Sequence, residues 1–171
     1  MSIFEVKDIF GEAKEIQIKQ FTDCRGSYSV LWEHGEIDGI SHNFKRLAHT
    51  VSHKGVFRGL HYQENYSQSK LVSVVKGSVY DVIVDIRKDS PTYGKWYGTI
   101  ISDKNNKMLF IPKGFAHGFL SLEDDTHFIY LCDEKRVAEE ERGIHYKSFG
   151  IELPEEPTVI TERDNGYEIL Y

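Results

Sequence analysis

The chain has 171 residues, enough for one domain with a sizeable core. Hydrophobic residues make up 40% and charged residues 28%, which excludes a disordered or fibrous protein. A formal net charge of −6 argues against a duplex nucleic-acid binder, and no run approaches the roughly 20 apolar residues of a membrane span.

Two cysteines, Cys24 and Cys132, are too few for a disulfide framework and lack metal-ligand spacing. The opening Met1-Ser2-Ile3-Phe4-Glu5 has neither the basic nor the apolar region of a secretion signal, so the expected location is the cytoplasm.

Aromatic residues reach 13%, a bias that suits pleated, half-buried surfaces. Strands are expected over 15–21, 56–63, 71–75, 79–86, 96–102, 107–111 and 126–132, where apolar residues recur at period two. In 56–63 simple alternation puts Arg58, Leu60 and Tyr62 on one face and Gly59, His61 and Gln63 on the other. Gly59 would then leave room for a ligand beside His61. In 79–86, Tyr80, Val82, Val84 and Ile86 share one face, while Val79, Asp81, Ile83 and Asp85 share the other. Asp81 on so apolar a strand needs a partner. Lys76-Gly77 supplies the turn before it. The stretch 134–141 carries charge all round and supports at most a turn or two of helix. From Lys147 onward, Pro154 and Pro157 suggest a C-terminal extension. The expectation is a single all-β domain over 1–171, a sandwich or barrel.

The run Pro112-Lys113-Gly114-Phe115-Ala116-His117 has the spacing Pro-x-Gly-x-x-His and resembles the second sequence motif of the cupin superfamily, whose His points into a barrel. The first cupin motif supplies His-x-His and then Glu as metal ligands. The corresponding places here hold His61, Gln63 and Lys70. An ammonium is a poor ligand for a divalent ion and an amide oxygen a weak one, so no metal and no cofactor are expected.

Further blocks make the resemblance specific. Asp23-Cys24-Arg25-Gly26, Gly55 to Gln63, Lys70-Leu71-Val72, Gly77 to Gly94, Ile111 to Leu120, Tyr130, Arg142-Gly143-Ile144 and Thr161-Glu162-Arg163-Asp164 follow one another in order. Together they resemble the dTDP-4-dehydrorhamnose 3,5-epimerase family. That resemblance implies a cupin-type jelly-roll β-barrel with extra N-terminal strands and a C-terminal extension. It implies a nucleotide-diphosphate 4-keto-6-deoxyhexose as substrate, inverted at C3, C5 or both through an enolate. His61 would be the base, oriented by Asp164, with Tyr130 the acid on the opposite ring face and Lys70 beside the ketone oxygen. His117 would pair with Asp81 near the sugar. Arg58, Arg25 and Arg163 would hold the diphosphate, and Gln63 and Tyr28 would complete the substrate pocket. The same resemblance implies a homodimer with N-terminal segment exchange, Arg25 serving the neighbour's site, and neither nucleic acid nor membrane as partner.

Departures from the family pattern cluster. Val30 stands where a base-recognising Glu is usual. Arg46-Leu47-Ala48-His49-Thr50 stands where Gln-Asp-Asn-His-Ser is common, and Lys135-Arg136 where aromatic residues pack the nucleoside. All are expected on the base side of the site, which suggests a nucleobase other than thymine, such as that of a CDP or GDP sugar. Rival readings on the same barrel are a nucleotide-sugar 3,4-ketoisomerase, a non-catalytic sugar-binding cupin and a metal-dependent oxygenase.

Overall fold

The structure, a computed structural model, describes residues 2–40 and 43–171. Period-two alternation builds two antiparallel sheets that face one another. The larger sheet joins β1 (Phe4–Ile9), β2 (Ala13–Ile18), β10 (Lys107–Ile111), β7 (Lys70–Lys76), β12 (Thr126–Cys132) and β5 (Arg46–Ser52), in that order. The smaller joins β13 (Glu141–Gly143), β6 (Phe57–Gln63), β11 (Phe115–Ser121), β8 (Ser78–Asp85) and β9 (Trp96–Ser102). A separate hairpin, β3 (Phe21–Asp23) with β4 (Gly26–Tyr28), stands apart from both. This is the all-β jelly-roll arrangement expected from the sequence. No helix among the described residues is long and apolar enough to cross a membrane.

Strand β8 shows why period two was so readable. Its Val79 and Ile83 join the core between the sheets, with Val72, Leu109, Phe115 and Phe128. Tyr80, Val82 and Val84 point the other way, into a second core roofed by Ile144, Tyr146 and Ile151 of the C-terminal segment. That segment is tied down where Thr158 N–H donates to Gly55 O at 3.0 Å and Phe57 N–H donates to Val159 O at 2.9 Å. A third core covers part of the outer face of the larger sheet, where Ile37 and Ile40 pack on Ile16, Leu71 and Phe110.

Several strands escaped the pattern, β5 among them. β5 reads Arg-Leu-Ala-His-Thr-Val-Ser, and its apolar Leu47 and Val51 face outward while Arg46 and Thr50 line the interior cavity. The usual polarity is inverted because the inner face is a site and not a core. The stretch 134–141 forms only a 3₁₀ turn, Ala138–Glu140, and runs straight into β13.

The face assignment for β6 is corrected. His61 pairs with His117, but Arg58 pairs with Phe119, so three steps on β6 match two on β11. This bulge turns Phe57 and Leu60 into the outer core and puts Arg58 and His61 together on the cavity. Gly59 therefore does not make room for a ligand. It has φ +134 and lies against the Gly118 backbone, where an added Cβ would overlap Gly118 Cα and meet His117 O at 2.9 Å. Gly59→Ala is expected to destabilise the fold by about 3 kcal/mol or more, read as a lowered urea midpoint, because both the dihedral and the space exclude a side chain.

Candidate active site

Between the sheets, at one end, lies a cavity of about 380 Å³. The smaller sheet lends it Arg58, His61 and His117, and the larger sheet lends Arg46, Thr50, Lys70, Phe128 and Tyr130. Because the sheets face each other, His61 and Tyr130 stand on opposite walls. Thr161, Arg163 and Asp164 of the C-terminal segment close the rim.

Asp164 arrives on the short helix α1 (Glu162–Asn165), whose N-cap Thr161 accepts from the Asp164 amide at 3.2 Å. The carboxylate is 2% exposed and serves two groups. His61 Nε2 donates to its Oδ1 at 2.8 Å, and the Gly59 amide donates to its Oδ2 at 3.2 Å. Burial opposes ionisation of Asp164, but His61, the Gly59 amide and Arg163 together hold it below the ordinary carboxylate range. With Nε2 committed, Nδ1 of His61 has no hydrogen-bond partner among the described residues and is the nitrogen available to a ligand. Tyr167 packs edge-on to the ring, 6.1 Å between centroids.

A second pair lies deeper. His117 Nε2 meets Asp81 Oδ2 at 2.9 Å, with Asp81 fully buried. Burial depresses the His117 imidazole below the usual histidine range, with Asp81 acting in the opposite direction. Phe128 stacks on His117 at 6.1 Å and on Phe119 at 4.2 Å, so this imidazole is held in an aromatic slot. Burial likewise lowers the Lys70 ammonium, partly offset by Cys132, Asp81 and Glu141. Among the described residues Lys70 makes no ion pair, and the Tyr130 hydroxyl makes no hydrogen bond. Thr50 Oγ1 is the single buried side-chain polar atom without a partner among them. A cavity wall that leaves an ammonium, a phenol and a hydroxyl unsatisfied is built for a polar ligand.

Other candidates fall elsewhere. Gln63 is buried and spent on the backbone: its Nε2 donates to Tyr66 O and Lys135 O, and its Oε1 accepts from Val137 N at 2.7 Å. Its placement as a substrate contact is therefore corrected to a brace for the 135–137 loop. Arg25 and Tyr28 line a separate hollow on the β3–β4 hairpin, where Arg25 pairs with Asp23 at 2.6 Å. Within one chain they do not reach His61. Val30 packs against the third core, and Lys135 lies 6.0 Å over the Tyr66 ring, so neither lines the cavity. Arg46 does line it, beside Tyr130. Gln68 and Glu141 also line it and were not foreseen. Glu141 sits in a charged run without periodicity, and its partner Arg136 at 2.6 Å becomes visible only in the fold. Among the described residues no group of three or more His, Cys, Asp or Glu side chains is arranged to hold a metal ion.

A family model described as dTDP-4-dehydrorhamnose 3,5-epimerase matches residues 8–171. The chain belongs to the dTDP-4-dehydrorhamnose 3,5-epimerase family. The epimerase of that name from Shigella flexneri is 42% identical over 172 residues, covering 98% of this chain and 90% of its own. The crystal structure of the Bacillus anthracis epimerase with TDP and pyrophosphate bound has a TM-score of 0.92 at 35% identity, covering 98% of this chain and 99% of that one. The Legionella pneumophila dTDP-6-deoxy-D-glucose-3,5-epimerase, solved with dTDP-4-keto-L-rhamnose, gives 0.91 at 38%, covering 97% and 92%. Family membership makes this chain an isomerase of the epimerase type.

Because Asp164 titrates lower in the folded chain than when unfolded, the unfolded chain binds the extra proton as pH falls through that range. Its stabilising contribution is full above about pH 4 and declines below it. Asp164→Asn is expected to lower the urea midpoint at pH 7, with the gap to the parent closing as pH falls below about 4. A gap of constant size across that range contradicts an ionised, His61-bonded Asp164.

Proposed function

We propose that this chain epimerises carbons flanking the C4 ketone of a dTDP-linked 4-keto-6-deoxyhexose. The observation that carries this reading is the placement of His61 and Tyr130 on opposite walls with the unpaired Lys70 ammonium in the same cavity. His61 Nδ1 takes the proton from the carbon beside the ketone, and the C–H electron pair moves into an enolate. Asp164 favours the imidazolium so formed. Lys70 lies against the enolate oxygen, where a partly desolvated cation acts strongly on developing charge. Tyr130 then delivers its hydroxyl proton to the opposite face of the same carbon, re-forming the ketone and leaving a phenolate. Solvent returns a proton to the phenolate and accepts one from His61. The buried His117–Asp81 pair, with a neutral imidazole, offers a fixed hydrogen-bonding group to the sugar. Arg58 and Arg163 hold the diphosphate at the rim, and Thr50 supplies a hydroxyl to the ligand.

The relatives named above support thymidine as the base. The chain would act as a homodimer in which the hairpin bearing Arg25 and Tyr28 crosses to the neighbour. The outer face of the larger sheet, with Leu47 65% exposed and Val51 and Val75 nearly half exposed, suits such pairing. Residues 1–171 would act as one domain in the cytoplasm, where nucleotide-activated sugars are available.

Incubation with dTDP-4-keto-6-deoxyglucose in heavy water, followed by NMR, tests the chemistry. Deuterium is expected at C3, C5 or both with the ketone kept at C4; migration of the ketone to C3 would show a ketoisomerase instead. His61→Ala is expected to reduce exchange by at least about a hundredfold. Tyr130→Phe should spare proton removal while slowing formation of inverted product. Segment exchange has its own test. Mixing Arg25→Ala with His61→Ala subunits should recover about a quarter of parent activity, since a mixed dimer then holds one intact site of two. No recovery after demonstrated subunit mixing would place Arg25 outside the neighbour's site.

A further inference from the structure

Two guanidiniums of the cavity, Arg46 and Arg136, have no role in the chemistry above. Arg46 opens β5 directly across from Cys132, and Cys132 lies directly across from Lys70 on its other side. One row of the larger sheet thus reads Arg46, Cys132, Lys70. The Arg46 guanidinium carbon lies 5.8 Å from the centre of the Tyr130 ring. The other arginines near this end have carboxylate partners: Arg136 holds Glu141 at 2.6 and 2.8 Å, and Arg163 lies 3.3 Å from Asp164. Arg46 makes no ion pair among the described residues. It is also well separated from Arg58, which is anchored to Ser52 Oγ at 3.1 Å and Val51 O at 3.3 Å. Six steps along a strand, from 46 to 52, span about 20 Å.

Two cations without an ion-pair partner among the described residues therefore stand on one wall, and the reaction creates two negative charges in succession. Lys70 meets the enolate oxygen. We propose that Arg46 meets the second charge, stabilising the phenolate left on Tyr130 when its O–H proton passes to the sugar carbon. A cation over a ring face is already attracted to the neutral phenol, and the attraction grows when the ring becomes an anion. The step needs no co-reactant. The O–H bond of Tyr130 breaks, the new C–H bond forms, and the electron pair stays on the phenolate oxygen until solvent protonates it. Arg46 acts through Tyr130 and is a positioning residue, not a catalytic one. This inference rests on the proposed epimerase reading.

The test uses the full-length chain with dTDP-4-keto-6-deoxyglucose in heavy water, measuring washout of substrate protons and formation of inverted product separately. Arg46→Gln is expected to keep KM and the His61-dependent washout within about twofold, while slowing product formation about tenfold to a hundredfold. Arg46→Lys, which keeps a cation at this place, should restore most of that loss. In a Tyr130→Phe background, Arg46→Gln should cost less than about twofold more, since residues acting through one another are not additive. A raised KM with unchanged turnover would overturn the proposal in favour of ligand binding by Arg46. Losses that multiply with Tyr130→Phe, or that Arg46→Lys does not relieve, would overturn it in favour of a packing role. Absence of washout in the parent chain would instead defeat the epimerase reading itself, so the two failures are distinguishable.

Discussion

The working geometry depends on the close backbone contact between Gly59 and Gly118. Only because neither residue carries a side chain can β6 take an extra residue against β11, and only that extra residue brings Arg58 and His61 onto one wall. The Asp164 carboxylate secures the arrangement from the rim, accepting from the Gly59 amide with one oxygen and from His61 with the other. The bulge and the imidazole are therefore held by a single buried anion. Loosening either bond frees a buried carboxylate oxygen, which penalises the change and keeps the pair together.

Charge is distributed unevenly between the walls. The smaller sheet and the rim carry matched pairs, His61 with Asp164 and His117 with Asp81. The larger sheet presents Lys70 and Arg46 without carboxylate partners among the described residues. One wall is thus suited to taking and holding protons, and the other to receiving negative charge as it forms. Phe119, Phe128 and the buried strand residues beneath them limit water at the base of the cavity, which strengthens both effects.

Much of this was legible from the chain alone, and what was not has definite causes. The two faces of β8 follow from alternation, because both are packed against apolar cores, and Asp81 stood out for lacking an evident reason to be there. The bulge in β6 was invisible, since one inserted residue breaks period two without leaving any mark in the residue types. Gln63 looked like a site residue from its spacing, yet its amide serves the backbone of a loop about seventy positions onward, a partnership that only tertiary structure creates. The family pattern groups Arg46 with the nucleobase. Strand pairing, which no motif reveals, sets it in the same row as Lys70.

The C-terminal segment folds back along β6, meeting it through the parallel bridge between Val56 and Val159 before delivering Asp164. The imidazole and its orienting anion are therefore separated by 103 positions in the order of synthesis. The wall that carries the phenol, complete at Cys132, precedes the carboxylate in the order of synthesis. The barrel can close around an idle histidine, and competence arrives with a few late-made residues. Loss of the residues beyond Ile160 would remove the orienting carboxylate and, with it, the anchor that holds the bulge of β6.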